Sequence, residues 1–301
     1  AIDYRHTFKN GLHFGVTASV ADDKTEVTKW TYNTKIPSYG ATGWWDKSAY
    51  KEGMVLGDIW GLQFDRFLTE DDFNADGSLK AGLPDQTKVF PAGYQFAPGD
   101  VLYKDLDNNG EIVKQTNTND KGDLSVIGNA LPRLQFGLNL DAAWKGFDIS
   151  MFFQGVAKRK LWAAGNQVLP GFTTGEPFYK GAEDYWTPEN TDAFYPRPMD
   201  YKQSASGNYS VNDRYLLNMA YLRLKTFTVG YSLPKVWLSK FKVQGLRVYF
   251  TGENLFTIDG VKPAIDPEIG IRTASGKSDQ RNFGRSYPYQ KTVSFGIQLS
   301  L

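Results

Sequence analysis

The closing stretch "QKTVSFGIQLSL" alternates strictly: Val293, Phe295, Ile297, Leu299 and Leu301 fall on one side, and Thr292, Ser294, Gly296, Gln298 and Ser300 on the other. A period of two with one apolar face predicts a β-strand. The same pattern runs through "PRLQFGLNLDAAW", where Leu134, Phe136, Leu138, Leu140, Ala142 and Trp144 oppose Arg133, Gln135, Asn139 and Asp141. After Lys145-Gly146, "FDISMFFQG" sets Phe147, Ile149, Met151 and Phe153 against Asp148, Ser150 and Gln154, with Phe152 out of pattern. "QGLRVYFTGENLF" separates Leu246, Val248 and Phe250 from Arg247, Tyr249, Thr251 and Glu253, and "GLHFGVTASVA" alternates likewise from Leu12 to Val20. Strands are expected near 2–8, 11–21, 132–144, 146–157, 218–233, 243–257 and 289–301, about seven in all.

Each run is about ten residues long, which at roughly 3.3 Å per residue and a tilt of about 45° crosses a hydrocarbon layer. The connections alternate in length. Lys9-Asn10-Gly11, Lys145-Gly146 and Pro234–Lys242 are short, whereas 21–131, 158–217 and 258–288 are long and rich in Gly, Pro, Asp, Asn and aromatics. That layout predicts an all-β fold, a transmembrane antiparallel β-barrel with tight periplasmic turns at one rim and long extracellular loops at the other. An odd count that opens on a strand predicts a portion of a larger barrel. The rival is an antiparallel sandwich in water, which explains the alternation but not the asymmetry of the turns.

In "YLRLKTFTVGYSLPKVWL", Arg223 and Lys225 share the phase of Phe227, Val229, Tyr231 and Leu233. In a barrel that face meets lipid, so the two cations are expected in the extracellular headgroup zone, with Tyr231 and Trp237 in an aromatic girdle at the periplasmic rim.

Composition narrows the chemistry. The 301 residues include 34 Lys plus Arg and 33 Asp plus Glu, so no strong field for nucleic acid exists. Cysteine is absent and His6 and His13 are the only histidines, which argues against thiolate chemistry, a catalytic triad and a multi-histidine metal site. No run of about 18 apolar residues forms a transmembrane helix. No enzymatic role is expected.

Specific phrases then carry a resemblance. "YLRLKTFTVGYSLPKVWLSKFKVQGLRVYFTGENLFTI" resembles the near-terminal hairpin of the SusC/RagA family of TonB-dependent outer-membrane transporters. "GMVLGDIWGLQFDRFL" (53–68), "PGDVLYKDLDNNGEI" (98–112), "VIGNALPRLQFGLNLDAAWKGFDISMFFQGV" (126–156), "YWTPENTDAFYPRP" (185–198) and the terminal "VSFGIQLSL" resemble it in the same order. The resemblance implies a barrel of 22 strands in a Gram-negative outer membrane, with residues 1–301 as its C-terminal portion and the plug domain and earlier strands outside this chain. It also implies coupling to TonB through the plug, a SusD-like surface lipoprotein over the mouth, and import of oligosaccharides or peptides. The alternatives are a surface receptor or adhesin anchored by a barrel, and a secreted β-rich glycan-processing enzyme.

Three groups of residues are candidates for function. Asp105, Asp107 and Asn109 in "DLDNNGEI" have the spacing of the first half of an EF-hand loop, so the 105–112 segment is a possible Ca2+ site, although Thr116 stands where a bidentate Glu is needed. The bland reading is an Asp/Asn/Gly turn. Trp44 and Trp45, with Tyr39 and Tyr50 nearby, and Tyr179, Tyr185, Trp186 and Tyr195 are loop aromatics suited to cargo or partner contact, or to anchoring the loops themselves. Arg133, Asn139, Asp141, Asp148, Gln154, Arg247 and Glu253 are expected to face the lumen and the plug.

Overall fold

The computed structural model describes residues 1–31, 52–114, 121–163, 165–172, 177–199, 207–239, 243–262, 265–268 and 287–300. Its strands begin with β1 (Ile2–Thr7), β2 (His13–Ala21), β3 (Asp58–Gly61), β4 (Phe64–Phe67), β5 (Val101–Tyr103), β6 (Ser125–Asn129) and β7 (Arg133–Trp144). They continue with β8 (Phe147–Lys158), β9 (Lys160–Leu161), β10 (Leu217–Asn218), β11 (Tyr221–Ser232), β12 (Gly245–Glu253), β13 (Thr257–Asp259) and β14 (Thr292–Ser300). A single turn of helix, α1 (Lys235–Leu238), fills the connection after β11.

The seven long strands form one antiparallel sheet in the order β1-β2-β7-β8-β11-β12-β14, and β13 adds to β11 beyond the end of β12. All seven expected runs are therefore strands, each paired with the next long run in sequence. The short connections are tight: between Trp144 and Phe147, Lys145 and Gly146 both have positive φ, 49° and 90°, as a two-residue hairpin turn matched to strand twist requires.

The register sorts side chains by chemistry. Leu140 pairs with Val16 and Met151, Val229 with Ile149 and Phe250, and Val248 with Ile297, so the apolar positions of neighbouring strands share one face. The opposite face collects Asp141 with Gly15 and Ser150, and Arg247 with Ser232 and Gln298. Among the described residues no second sheet covers the apolar face: Phe295 is 82% and Ile297 73% exposed. A sandwich would bury that face at once, so the aqueous sandwich does not fit, and a lipid-facing barrel wall does.

The buried core instead lies in the long connections. One cluster joins Ile59 of the first connection, Leu161, Val168, Tyr195 and Tyr215 of the second, and Val261 of the third. Another packs Leu62, Phe67, Val101, Tyr103 and Ile112 around Trp186. Small sheets stiffen this layer, β3 with β6, β4 with β5, and β9 with β10. Loops long enough to carry a core fold as a domain of their own.

One expectation fails at β11. The pairing with β8 slips between Leu224 and Thr226, which leaves Lys225 as an extra residue, a β-bulge. An extra residue inverts the phase of everything beyond it. Arg223 consequently pairs with Gln154 on the polar face rather than following Phe227 on the apolar one. Its side chain is only 4% exposed, enclosed by loop carboxylates and not turned to lipid, and Lys225 is paired to one of them. Arg223 donates to Thr257 Oγ1, Glu268 Oε2 and Asp266 Oδ1, each at 2.7 Å, and Lys225 Nζ lies 3.0 Å from Glu268 Oε2. Tyr231, on the apolar face, packs its ring 4.5 Å from Phe147 near the short-turn rim, and Trp237 is exposed on α1 at that same rim.

Candidate functional site

The polar face of the sheet holds Arg133, Asn139, Asp141, Asp148, Gln154, Arg247 and Glu253 in one register. Arg247 reaches over Gly230 of the intervening strand to Asp148, with Nε 3.0 Å from Oδ1 and Nη2 2.5 Å from Oδ2. A Cβ on Gly230 would stand 2.5 Å from the guanidinium, so a residue without a side chain clears the path. His13 Nε2 lies 3.7 Å from Asp141, and its Nδ1 lies 3.1 Å from Thr7 Oγ1. At the long-loop end Arg133 forks onto Asp22, with Nη2 2.7 Å from Oδ2. Gln154 and Glu253 are exposed, and Phe152, the misfit of its strand, stands on this face opposite Asn139.

The loop aromatics separate into two roles. Trp186 is buried, with its ring against Gly99 inside the second core cluster, where it anchors the loops, the other of the two roles expected of these aromatics. Tyr179, Tyr185 and Tyr195 line one pocket of about 420 Å³. Its floor is Tyr195 and Tyr209 with Pro196; its rim is Phe178, Tyr179, Tyr185 and the exposed Pro198. The floor is rigid. Tyr195 donates its hydroxyl to Val168 O at 2.8 Å and its N–H to Asp184 O at 2.9 Å, and it stacks on Tyr215 with ring centres 6.0 Å apart. Burial pushes the Tyr195 hydroxyl up to about 12, with the Asp184 carboxylate adding to the shift, so the ring stays neutral at any physiological pH. Trp44, Trp45, Tyr39 and Tyr50 lie outside the described residues.

The segment around Asp105 closes on itself. Gly110 N–H donates to Asp105 Oδ2 at 2.8 Å, Asn109 Nδ2 to Asp107 Oδ2 at 3.1 Å, and Glu111 N–H to Asn109 Oδ1 at 2.8 Å. These are the local bonds of an Asp/Asn turn. A third carboxylate, Asp123, comes within reach of Asp105 and Asp107, all three offering oxygens within 4.8 Å of one another. Asp123 is fully buried and accepts the N–H groups of Leu106 and Val113 at 2.8 and 2.7 Å. Partial desolvation, then the charges of Asp123 and Asp105, raise the Asp107 carboxyl from its ordinary value. Thr116 lies outside the described residues.

Sequence reading missed the joints that lock the loops together. Asp100 is fully buried and accepts Arg197 Nε at 2.8 Å, Tyr94 Oη at 2.8 Å, Ala97 N–H at 2.9 Å and Asn208 Nδ2 at 3.0 Å. Burial and that carboxylate raise the Tyr94 hydroxyl far above its ordinary value. Arg214 lays its guanidinium 4.3 Å from the ring centre of Phe64 while donating to the carbonyls of Phe194 and Ala193. The Asp100–Arg197 partners lie 97 residues apart, and no local spacing announces such a pair.

A sheet with one lipid-facing and one polar face, short turns at one rim and a folded loop layer at the other is the wall of an outer-membrane-type β-barrel. Within that class the chain is SusC/RagA-like. It is 29% identical over 258 residues to TonB-dependent receptor P3 of Formosa agariphila, covering 83% of this chain and 22% of the relative. It is 32% identical over 200 residues to TonB-dependent receptor P26 of the same organism, covering 64% of this chain and 19% of the relative. TonB-dependent receptor SusC of Bacteroides thetaiotaomicron is 25% identical over 242 residues, 77% of this chain and 22% of SusC. The chain thus spans about a fifth of the length of the curated relatives it matches. No protein-family model matches it. Among solved structures, the RagAB peptide importer in its open-open state superposes with a TM-score of 0.62 at 18% identity, over 99% of this chain and 28% of that one. A second structure of the RagAB peptide transporter gives a TM-score of 0.63 at 18% identity, with the same coverage. The curated relatives are named as receptors, and the solved structures as a peptide importer or transporter.

Proposed function

We propose that residues 1–301 form the C-terminal portion of the barrel, with its extracellular loops, of an active importer in a Gram-negative outer membrane. The complete protein would carry a plug in its lumen, couple to TonB through that plug, and take up oligosaccharides or peptides delivered under a SusD-like lipoprotein. The observation that carries this reading is the exposed apolar face of a seven-stranded meander capped at one rim only by a folded loop layer. Such a wall is stable only in lipid, and such a layer offers a surface to the outside. In this reading Asp148, Arg247 and Asp141 face the plug. The 105–112 turn, with Asp123, remains a place where a hard cation such as Ca2+ could join oxygens that already converge.

Uptake by cells carrying the complete protein tests it. Labelled oligosaccharides and peptides should accumulate inside the outer membrane, and an uncoupler of the proton gradient should abolish the accumulation. Surface retention indifferent to the uncoupler would overturn import in favour of the receptor or adhesin.

A further inference from the structure

We infer that the pocket between Tyr185 and Tyr209 binds an extended, proline-bearing peptide as a free ligand. The inference deepens the import reading and rests on it only for the side of the membrane that the pocket faces.

The lining chooses the class of ligand. Four tyrosines, a phenylalanine and three prolines, among them Pro170, make up most of the wall, and among the described residues Lys180 and Glu183 are its charged side chains. The Tyr195 hydroxyl is already spent on the Val168 carbonyl. An oligosaccharide seated on the floor would set its hydroxyls against ring and proline faces, with Lys180, Glu183 and the rim tyrosines to pair them only at the opening, and each hydroxyl left unpaired weakens binding. A polyproline-type peptide has the opposite need. It keeps its backbone solvated and asks for flat aromatic and proline faces between which its rings can sit.

The shape is also prepared before any ligand arrives. Tyr185 and Tyr195 lie side by side in a parallel bridge, and Trp186 N–H donates to Tyr195 O at 3.0 Å. Arg197 fixes the backbone between Pro196 and Pro198 by donating its N–H to Gly99 O at 3.0 Å and its side chain to Asp100. A floor held from both sides loses little freedom on binding. The rim differs: Phe178 is 59% exposed, and Tyr179 and Tyr185 are exposed beside it, three large apolar rings turned to solvent at one opening. Lys180 and Glu183 stand next to those rings, placed to meet the charged or carbonyl groups that flank a proline segment.

The test uses the complete protein in detergent and a fluorescein-labelled nonapeptide with a Pro-Pro-Leu-Pro centre, read by anisotropy. Saturable binding is expected, at least tenfold weaker in Phe178→Ala and Tyr185→Ala, and unchanged in Trp237→Ala at the opposite rim. Both rim side chains are exposed, and unaltered heat-modifiable migration of each variant confirms that the barrel is intact. The inference is overturned by absence of saturable binding, by equal affinity of the rim variants, or by equal affinity for a proline-free peptide of the same length and charge. Tyr185-dependent binding of a linear oligosaccharide in place of the peptide also overturns it. Complete exclusion of the peptide by a bound lipoprotein would overturn the free-ligand source, assigning the pocket to the partner. Peptide binding without uptake would leave this inference standing and remove import; uptake without rim-dependent binding would do the reverse.

Discussion

At the scale of single residues, buried charges decide where the loops are held. Arg223 is enclosed with Asp266 and Glu268, and Tyr289 N–H also donates to Asp266 at 3.0 Å, so two separate parts of the third connection converge on one guanidinium. Removing one partner of a buried ion pair leaves the other charge uncompensated and costs about 3–5 kcal/mol. Arg223→Met should therefore loosen residues 265–268 and 287–289 by that order, seen as faster amide exchange there with the long strands unaffected; unchanged exchange would refute the role. Asp72 makes a second prediction, one of pH. The two-pronged bond from Arg66, at 2.6 and 2.7 Å, and then the Thr69 N–H hold its carboxyl down to about 2 against an ordinary 3.8. A depressed carboxylate pKa contributes stability that is complete above the unfolded value and lost as pH falls through the folded one. The 64–73 segment should be equally protected from pH 7 to about 5 and lose on the order of 2 kcal/mol toward pH 2, a loss absent in Asp72→Asn. Acid sensitivity identical in the two proteins would contradict this.

At the scale of elements, the two faces of a strand make opposite demands. Ile297 on β14 belongs to the apolar face and Gln298 to the polar one. An arginine facing the bilayer midplane costs about 2–4 kcal/mol, whereas the other face tolerates charge. In the complete protein Ile297→Arg should lower the yield of folded barrel in urea-titrated refolding into vesicles, and Gln298→Arg should not. Equal effects would mean that the faces have been assigned wrongly. The strands were readable because alternation is local: the period from Val293 to Leu299 needs no knowledge of the neighbour. The small strands inside the connections were not, since β9, β10 and β13 are two or three residues long and owe their pairing to the core beneath them. Arg223 shows the limit most clearly. Its phase in the chain matches Phe227, and only the slip of β11 against β8 at Lys225 turns it to the other face.

At the scale of the whole molecule, the sheet has two edges. Among the described residues β1 pairs only with β2, and β14 only with β12, so each presents an unpaired row of backbone groups. Such rows are prohibitive in lipid and invite aggregation in water. Residues 1–301 expressed alone should aggregate or remain unfolded in detergent, and co-expression with the rest of the barrel should restore a heat-modifiable species; a stable, folded monomer of this piece would count against the open sheet. The loop layer works at the same scale. Tyr179, Tyr185 and Tyr195 were recognisable as candidates by residue type alone, but their union in one pocket, and the burial of Trp186 away from it, depend on Tyr195 docking against Tyr215 and Val168.

Alternation, turn length and a handful of family phrases were enough to give the number of long strands in this chain, the two faces of their sheet and its SusC/RagA-like character. These are matters of neighbouring residues, which the chain carries in its order. The bulge at Lys225, the Asp100–Arg197 joint, the convergence of Asp123 on Asp105 and Asp107, and the assembled aromatic pocket arose only on folding. Each unites groups through registers or cores set by distant segments, and the energy that chooses among such unions belongs to burial and pairing rather than to any local pattern.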